Sequence, residues 1–306
     1  MTRRARSGKP SLRGFLAFAA FALAFGPSRV DASAIFGVTT TNGLVSFDSA
    51  TPGTVSSIGL IGGLQTGETI LGIDFRPATG GLYAIGSTSR LYLINTATAA
   101  ATQVGSAGAF TLSGTSFGFD FNPTVDRIRV TGNTGQNLRL NPNDGTLTAA
   151  DTALAYAAGD PNFGMTPRIV GSAYTNNFAG AATTTLYDID SNLDRLATQN
   201  PPNNGTLNTI GAGLGFNTSD LVGFDILTVG STDFAFASMT APAGSASQLF
   251  TINLTTGVAT LVGTIGSQIV VTDIAVAPQT VVPEPATILL VGGGLLAAVR
   301  RRRARR

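Results

Sequence analysis

From position 35 to position 278 the chain is written in short runs of alternating apolar and polar residues, each ended by Gly, Asn, Pro or Thr. Leu71-Gly72-Ile73-Asp74-Phe75, Leu82-Tyr83-Ala84-Ile85 and Arg90-Leu91-Tyr92-Leu93-Ile94 show the pattern. A period of two in runs rich in Val, Ile, Thr, Phe and Tyr predicts antiparallel strands joined by tight turns. Apolar residues at helical spacing are missing from this body. The one stretch read as partly helical is 149–158, an Ala-rich piece of the irregular segment 149–167.

The runs recur in groups. Leu71-Gly72-Ile73-Asp74-Phe75-Arg76-Pro77 returns as Phe117-Gly118-Phe119-Asp120-Phe121-Asn122-Pro123, again as Val222-Gly223-Phe224-Asp225-Ile226, and in degenerate form as Val170-Gly171-Ser172-Ala173-Tyr174. Three further strand-like runs follow each copy, and four strands per roughly 50 residues is the signature of a propeller blade. Residues 35–62 hold only three strands, at 35–39, 44–48 and 55–60; the missing one stands at 271–278, with Pro278 in the place of Pro77 and Pro123. Joining the two ends would pair both open edges. The fold expected is all-β, a β-propeller-like repeat of five four-stranded blades: 35–62 with 271–278, then 70–106, 117–150, 168–212 and 221–264. Another blade count and a β-sandwich are the alternatives.

Charge divides the chain differently from pattern. The net +2 of the whole hides six basic residues in the first 29 positions and six in the last seven. The interval 35–282 keeps seven Arg and no Lys against fifteen acids, a net −8. That balance disfavours nucleic acid, whose binding rests on phosphate neutralisation. The absence of Cys removes disulfides, thiolate nucleophiles and Cys-bound metals. The absence of His removes the commonest general base and metal ligand.

The ends read as export signals. A basic segment at 3–13, an apolar run at 15–25 and the small-residue site Ala32-Ser33-Ala34 follow the order of a secretory signal peptide over 1–34, with cleavage expected after Ala34. The apolar run is short for a bilayer span, which takes about 20 residues. At the other end, Val282-Pro283-Glu284-Pro285 precedes an apolar stretch at 286–299 and an Arg cluster at 300–306. As a helix that stretch rises roughly 21 Å, against the ~30 Å of the hydrocarbon core; snorkelling Arg side chains close the difference. The cluster should stay cytoplasmic by the positive-inside rule. The bland alternative is an ordinary tail anchor.

The order V-P-E-P, short transmembrane helix, Arg cluster closely resembles the PEP-CTERM sorting signal of Gram-negative bacteria. The resemblance implies the Sec translocon and signal peptidase at the front, then an exosortase at the tail. It also implies a transient stay in the inner membrane, a final place at the cell surface or outside it, and association with exopolysaccharide and biofilm. The strings Gly118-Phe119-Asp120-Phe121-Asn122-Pro123, Asp126-Arg127-Ile128-Arg129-Val130 and Asn137-Leu138-Arg139-Leu140-Asn141-Pro142 resemble the bacterial family of domain of unknown function 4394. That family brings no activity with it. The domain plan is 1–34 signal peptide, 35–279 propeller-like domain and 280–306 sorting signal.

Three groups are candidate sites. Asp188, Asp190, Asn192 and Asp194 put oxygen ligands at every second position, as in a calcium loop. They lack the loop glycine, and Gln199 stands where a bidentate Glu belongs. Asp190 also aligns with Asp48, Asn95, Asn141 and Asn253, where an Asx side chain bonds its own turn. Asp74, Asp120 and Asp225 recur on the first strand of the repeat; they could hold a cation on the channel axis, or satisfy backbone N–H groups or an Arg at a blade junction. Arg127 and Arg129 share a strand face, and with Arg139 they could grip a carboxylate or sulfate, or pair with Asp120, Asp126 or a neighbouring blade. No Ser or Thr has an evident activating base, and no spacing singles out a catalytic Asp pair. The reading is an exported, non-catalytic binding or matrix protein without a resident cofactor. The alternative is a calcium-dependent, Asp-based hydrolase or lyase on polysaccharide or lactone.

Overall fold

In a computed structural model, residues 32–279 are described. The signal segment up to residue 31 and the tail 280–306, including Val282, Pro283, Glu284, Pro285 and the expected transmembrane helix, lie outside the described residues. Among the described residues no helix is long and apolar enough to cross a membrane.

The chain opens with β1 (Ala34–Thr39), β2 (Gly43–Asp48) and β3 (Thr51–Leu60). Blade 1 follows as β4 (Ile70–Phe75), β5 (Leu82–Gly86), β6 (Arg90–Ile94) and β7 (Ala101–Val104). Blade 2 is β8 (Phe117–Asn122), β9 (Arg127–Gly132), β10 (Asn137–Leu140) and β11 (Leu147–Ala150). After β12 (Ala155–Tyr156), blade 3 consists of β13 (Ile169–Tyr174), β14 (Leu186–Asp190), β15 (Arg195–Gln199) and β16 (Thr206–Ile210). Blade 4 is β17 (Val222–Val229), β18 (Thr232–Met239), β19 (Gln248–Ile252) and β20 (Ala259–Thr264), and β21 (Val271–Val276) is last.

β21 pairs antiparallel with β1, from Ile35 opposite Val276 to Thr39 opposite Val271, so the closing blade runs β21-β1-β2-β3. The chain is a five-bladed β-propeller with the blades where the repeat predicts them, blade 3 gaining β12 as an extra strand. The Asx positions turn as expected. Asp48 Oδ1 accepts from Ala50 N at 2.7 Å, Asn95 Oδ1 from Ala97 N at 2.9 Å and Asn253 Oδ1 from Thr255 N at 2.9 Å.

The repeated glycine is explained by how closely five inner strands crowd the axis. A Cβ on Gly118 would stand 2.6 Å from Ser172 N, and one on Gly223 2.4 Å from Ile274 N. Backbone meets backbone there, and only glycine leaves the space.

Segment 149–158 is a correction. It is not helical: β11 ends at Ala150, and β12 pairs in parallel with Thr206 and Leu207 as a fifth strand on the outer edge of blade 3. Its N–H groups bond across the chain, Asp151 N to Asn137 O, Leu154 N to Gly135 O and Ala155 N to Gly205 O. None of these is left for a helical bond, and tertiary pairing overrides the helix preference of alanine.

Four of the five seams between blades are apolar. Large buried clusters join the closing blade to blade 1, blade 1 to blade 2, blade 3 to blade 4, and blade 4 to the closing blade. No such cluster joins blades 2 and 3 among the described residues. The apolar group nearest that seam is small and comes from blade 3 and β12: Leu154, Tyr156, Ile169, Ala197 and Leu207.

Candidate functional site

The seam between blades 2 and 3 is filled with polar side chains. β9 presents Arg129 and Thr131, β10 Asn137, β13 Ser172, β14 Asp188 and β15 Gln199, all buried. Arg129 uses four of its five N–H donors: Nη1 donates to Asn137 Oδ1 and Asp151 Oδ2, both at 2.7 Å, Nη2 to Asn203 Oδ1 at 2.8 Å, and Nε to the Tyr174 hydroxyl at 3.3 Å. Arg139, directly opposite Arg129 in the ladder, meets the same carboxylate with Nε at 2.7 Å and Nη2 at 2.8 Å. Burial would raise the Asp151 carboxyl, but the bonds from Arg139 and Arg129 outweigh it and hold it below the ordinary range. Asp151 lies in the segment read as irregular, which is why spacing alone does not supply it as the partner.

Thus Arg127, Arg129 and Arg139 come together, in unequal roles. All three line one open cavity of about 200 Å³ with Asn122, Tyr174 and Asn203. Arg129 is spent inside the protein. Arg139 keeps Nη1 unbonded in the Asp151 grip and its side chain is 28% exposed. Arg127 donates through Nη1 to the carbonyls of Val125 and Asp126, and among the described residues it has no carboxylate partner. Asp126 is taken instead by Arg76 of blade 1.

Deeper in the seam, Ser172 Oγ donates to Asp188 Oδ1 at 2.5 Å and shares a 2.7 Å bond with Thr131 Oγ1. Asp188 Oδ2 and Gln199 Oε1 are buried without a hydrogen-bond partner. Burial pushes the Asp188 carboxyl up to about 7.

The four residues of the calcium-loop pattern do not converge. Asp190 Oδ1 caps its own turn through Asn192 N at 2.8 Å, and its Oδ2 accepts from the Tyr156 hydroxyl at 2.6 Å. Asn192 donates to Thr166 O at 3.2 Å, and Asp194 Oδ1 accepts from Thr218 N at 2.9 Å.

The recurring aspartates do converge. Asp74, Asp120 and Asp225 each place a carboxylate oxygen within 4.8 Å of the others, and these are the residues that could hold a metal. Each also reaches the inner strand of the next blade. Asp74 Oδ2 accepts from Phe121 N at 2.9 Å, Asp120 from Tyr174 N and Asp225 Oδ2 from Val276 N. Asp273, two residues earlier in its strand, accepts from Ile73 N at 2.8 Å and completes the step from the closing blade to blade 1. Inner strands have an unpaired edge toward the axis, and these carboxylates supply its missing acceptors. Blade 3 has Ala173 at this place and makes no such link. Burial first, then repulsion from Asp225, raises Asp74; burial, then Asp74, raises Asp120; burial raises Asp225 to about 6 and lifts Asp273 well above the ordinary range.

Comparison with known proteins adds family and sorting. A PEP-CTERM protein-sorting motif matches residues 281–303, which marks an exported, surface-targeted protein handled by an exosortase. No curated protein matches. Among solved structures, a protein of unknown function from Bacteroides thetaiotaomicron is 13% identical with a TM-score of 0.46, over 83% of this chain and 69% of that one. Myxococcus xanthus glutaminyl cyclase is 12% identical with a TM-score of 0.40, over 81% and 98%. The dihydro-heme d1 dehydrogenase NirN is 12% identical with a TM-score of 0.36, over 78% of this chain, which spans 46% of its length. None of these likenesses bears on activity. The family described as domain of unknown function DUF4394 matches residues 43–275, from the second strand to the last, and the chain belongs to it.

Proposed function

We propose that this propeller is a surface or extracellular binding protein that takes an acidic ligand group in the cavity of Arg127 and Arg139. A uronate-bearing exopolysaccharide of the biofilm matrix is the partner this chemistry suits. The observation that carries the reading is the polar seam. Four seams are apolar, and the fifth is spent on a network that fixes Arg129 and Asp151 and leaves the donors of Arg127 and Arg139 facing an open cavity. Planar guanidinium groups suit carboxylate and sulfate, and a rigid network beneath them supplies preorganisation. A calcium-dependent hydrolase or lyase stands second. Its natural metal ligands would be Asp74, Asp120 and Asp225, but these are only 6%, 3% and 2% exposed, out of reach of a polymeric substrate.

Calorimetry of the full-length protein with uronate oligosaccharides, against neutral glucose oligomers, tests the proposal. Uronates are expected to bind and neutral oligomers not to bind at this cavity. Arg127→Ala and Arg139→Ala should each weaken binding by about tenfold or more, the range of a lost charged hydrogen bond. No binding of uronates, or uronate binding untouched by both substitutions, would overturn it.

A further inference from the structure

On the face where the inner strands begin, the five blades surround a second cavity, of about 180 Å³. The Arg cavity lies on the opposite face, where β8 and β13 end at Asn122 and Tyr174. The residue just before the repeated glycine lines this funnel in every copy: Leu71, Phe117, Val170 and Val222, with Thr272 before Asp273 in the closing blade. Four of the five are apolar and form a greasy floor. Around them stand the hydroxyls of Thr40, Thr69, Ser116 and Thr272. The side-chain oxygens of these four make no hydrogen bond to protein among the described residues, although the backbone N–H groups of Thr40 and Thr69 are both bonded, to Val270 O and Ser87 Oγ.

The funnel is electrically quiet. Its one ionisable side chain, Asp220, is paired with Arg168 and accepts from Ser191 Oγ at 2.7 Å and Asn133 Nδ2 at 3.1 Å. An ionic ligand therefore gains nothing here. Hydroxyls both donate and accept, so their best partner is another hydroxylated molecule. An apolar floor under polar rim groups fits a flat ring with an apolar C–H face and hydroxyls at its edge. The volume is below the roughly 300–1,000 Å³ of sites for drug-sized ligands, enough for one ring and no more.

We infer that this funnel binds a single neutral sugar ring, free or as the end unit of a glycan. The site is independent of the acidic-group cavity: it takes an uncharged ligand, on the other face. The chain enters and leaves the domain on the Arg face, where Ile35 lies opposite Val276, so the funnel opens away from the tail's point of attachment.

Saturation-transfer NMR on the full-length protein with neutral hexoses and N-acetylhexosamines tests this, with short neutral glycans as a second arm. At least one neutral ring should receive saturation from the floor methyls. Binding should weaken about fivefold or more in Thr69→Val and Thr272→Val, what one ordinary hydrogen bond provides, and stay unchanged in Arg127→Ala. Transfer to glycan ends but not to free rings would assign the glycan source. If Thr272→Val fails to fold, Ser116→Ala takes its place. Absence of transfer to any neutral sugar, an affinity unchanged by the hydroxyl deletions, or transfer lost in Arg127→Ala would overturn the inference, and none of these touches the uronate result.

Discussion

Arg127 and Arg129 sit two positions apart on one strand, on one face, and do opposite work. Arg129 is 2% exposed and feeds four acceptors; Arg127 bonds only nearby carbonyls. Arg129→Ala would leave Asp151 to Arg139 alone and Asn203 Oδ1 without its donor, and is expected to cost about 1–3 kcal/mol, the range for charged hydrogen bonds lost and an acceptor left unpaired. Arg127→Ala should stay within about 0.5 kcal/mol of the parent, and urea midpoints of the two variants measure the contrast. A second residue-scale expectation concerns Asp225, whose folded-state carboxyl is raised to about 6 chiefly by burial. An unfolded Asp titrates near 3.9, so between roughly pH 4 and 6 the folded state binds the extra proton and stability falls as pH rises. Asp225→Asn removes that dependence. Its destabilisation relative to the parent, by thermal melts, should be larger at pH 5 than at pH 8.

At the scale of elements, the inner strands carry most of what the sequence makes readable. A string such as Leu71-Gly72-Ile73-Asp74-Phe75 states its own structure: glycine for the close approach, then an acid for the next blade's N–H. Four copies and a missing first strand are enough to count blades. The same string also singles out the acids that converge, Asp74, Asp120 and Asp225, and leaves aside Asp273, which lies one strand period earlier than Asp74. Segment 149–158 reads as helix because alanine favours helix locally, while Gly135 and Gly205 offer carbonyls from distant places. The site is legible in its arginines and not in its acid: Asp151 acts across β9 and β10, and nothing in linear spacing points to it. The first strand yields the third expectation. Ser33 N donates to Ser49 Oγ at 3.0 Å, Ser49 N bonds Ser33 O, and Ala277 N bonds Ala34 O. A cut after Ala34 deletes all three bonds. A chain beginning at Ser33 is expected to melt several degrees above one beginning at Ile35, at about 1 kcal/mol per bond, and equal melting points would show that the start of β1 is dispensable.

For the whole molecule, the repeat makes a ring and lines the funnel at its centre, and a departure from the repeat makes the polar seam. Blade 3 departs most: it lacks the inner-strand acid, gains an outer strand and replaces an apolar seam with a polar one. Opposite faces then offer opposite chemistries, guanidinium on one and uncharged hydroxyl on the other. The pairing of β21 with β1 also decides how the molecule carries a pull. Force arriving at Gln279 runs along β21 itself, whose last residues and the first of β1 share one face. The five residue pairs of that ladder would slide against one another together instead of unzipping in succession. The closing blade is therefore loaded in shear, the arrangement in which many weak bonds must fail at once, and a propeller tethered by its tail could be tugged by what it holds without opening its ring.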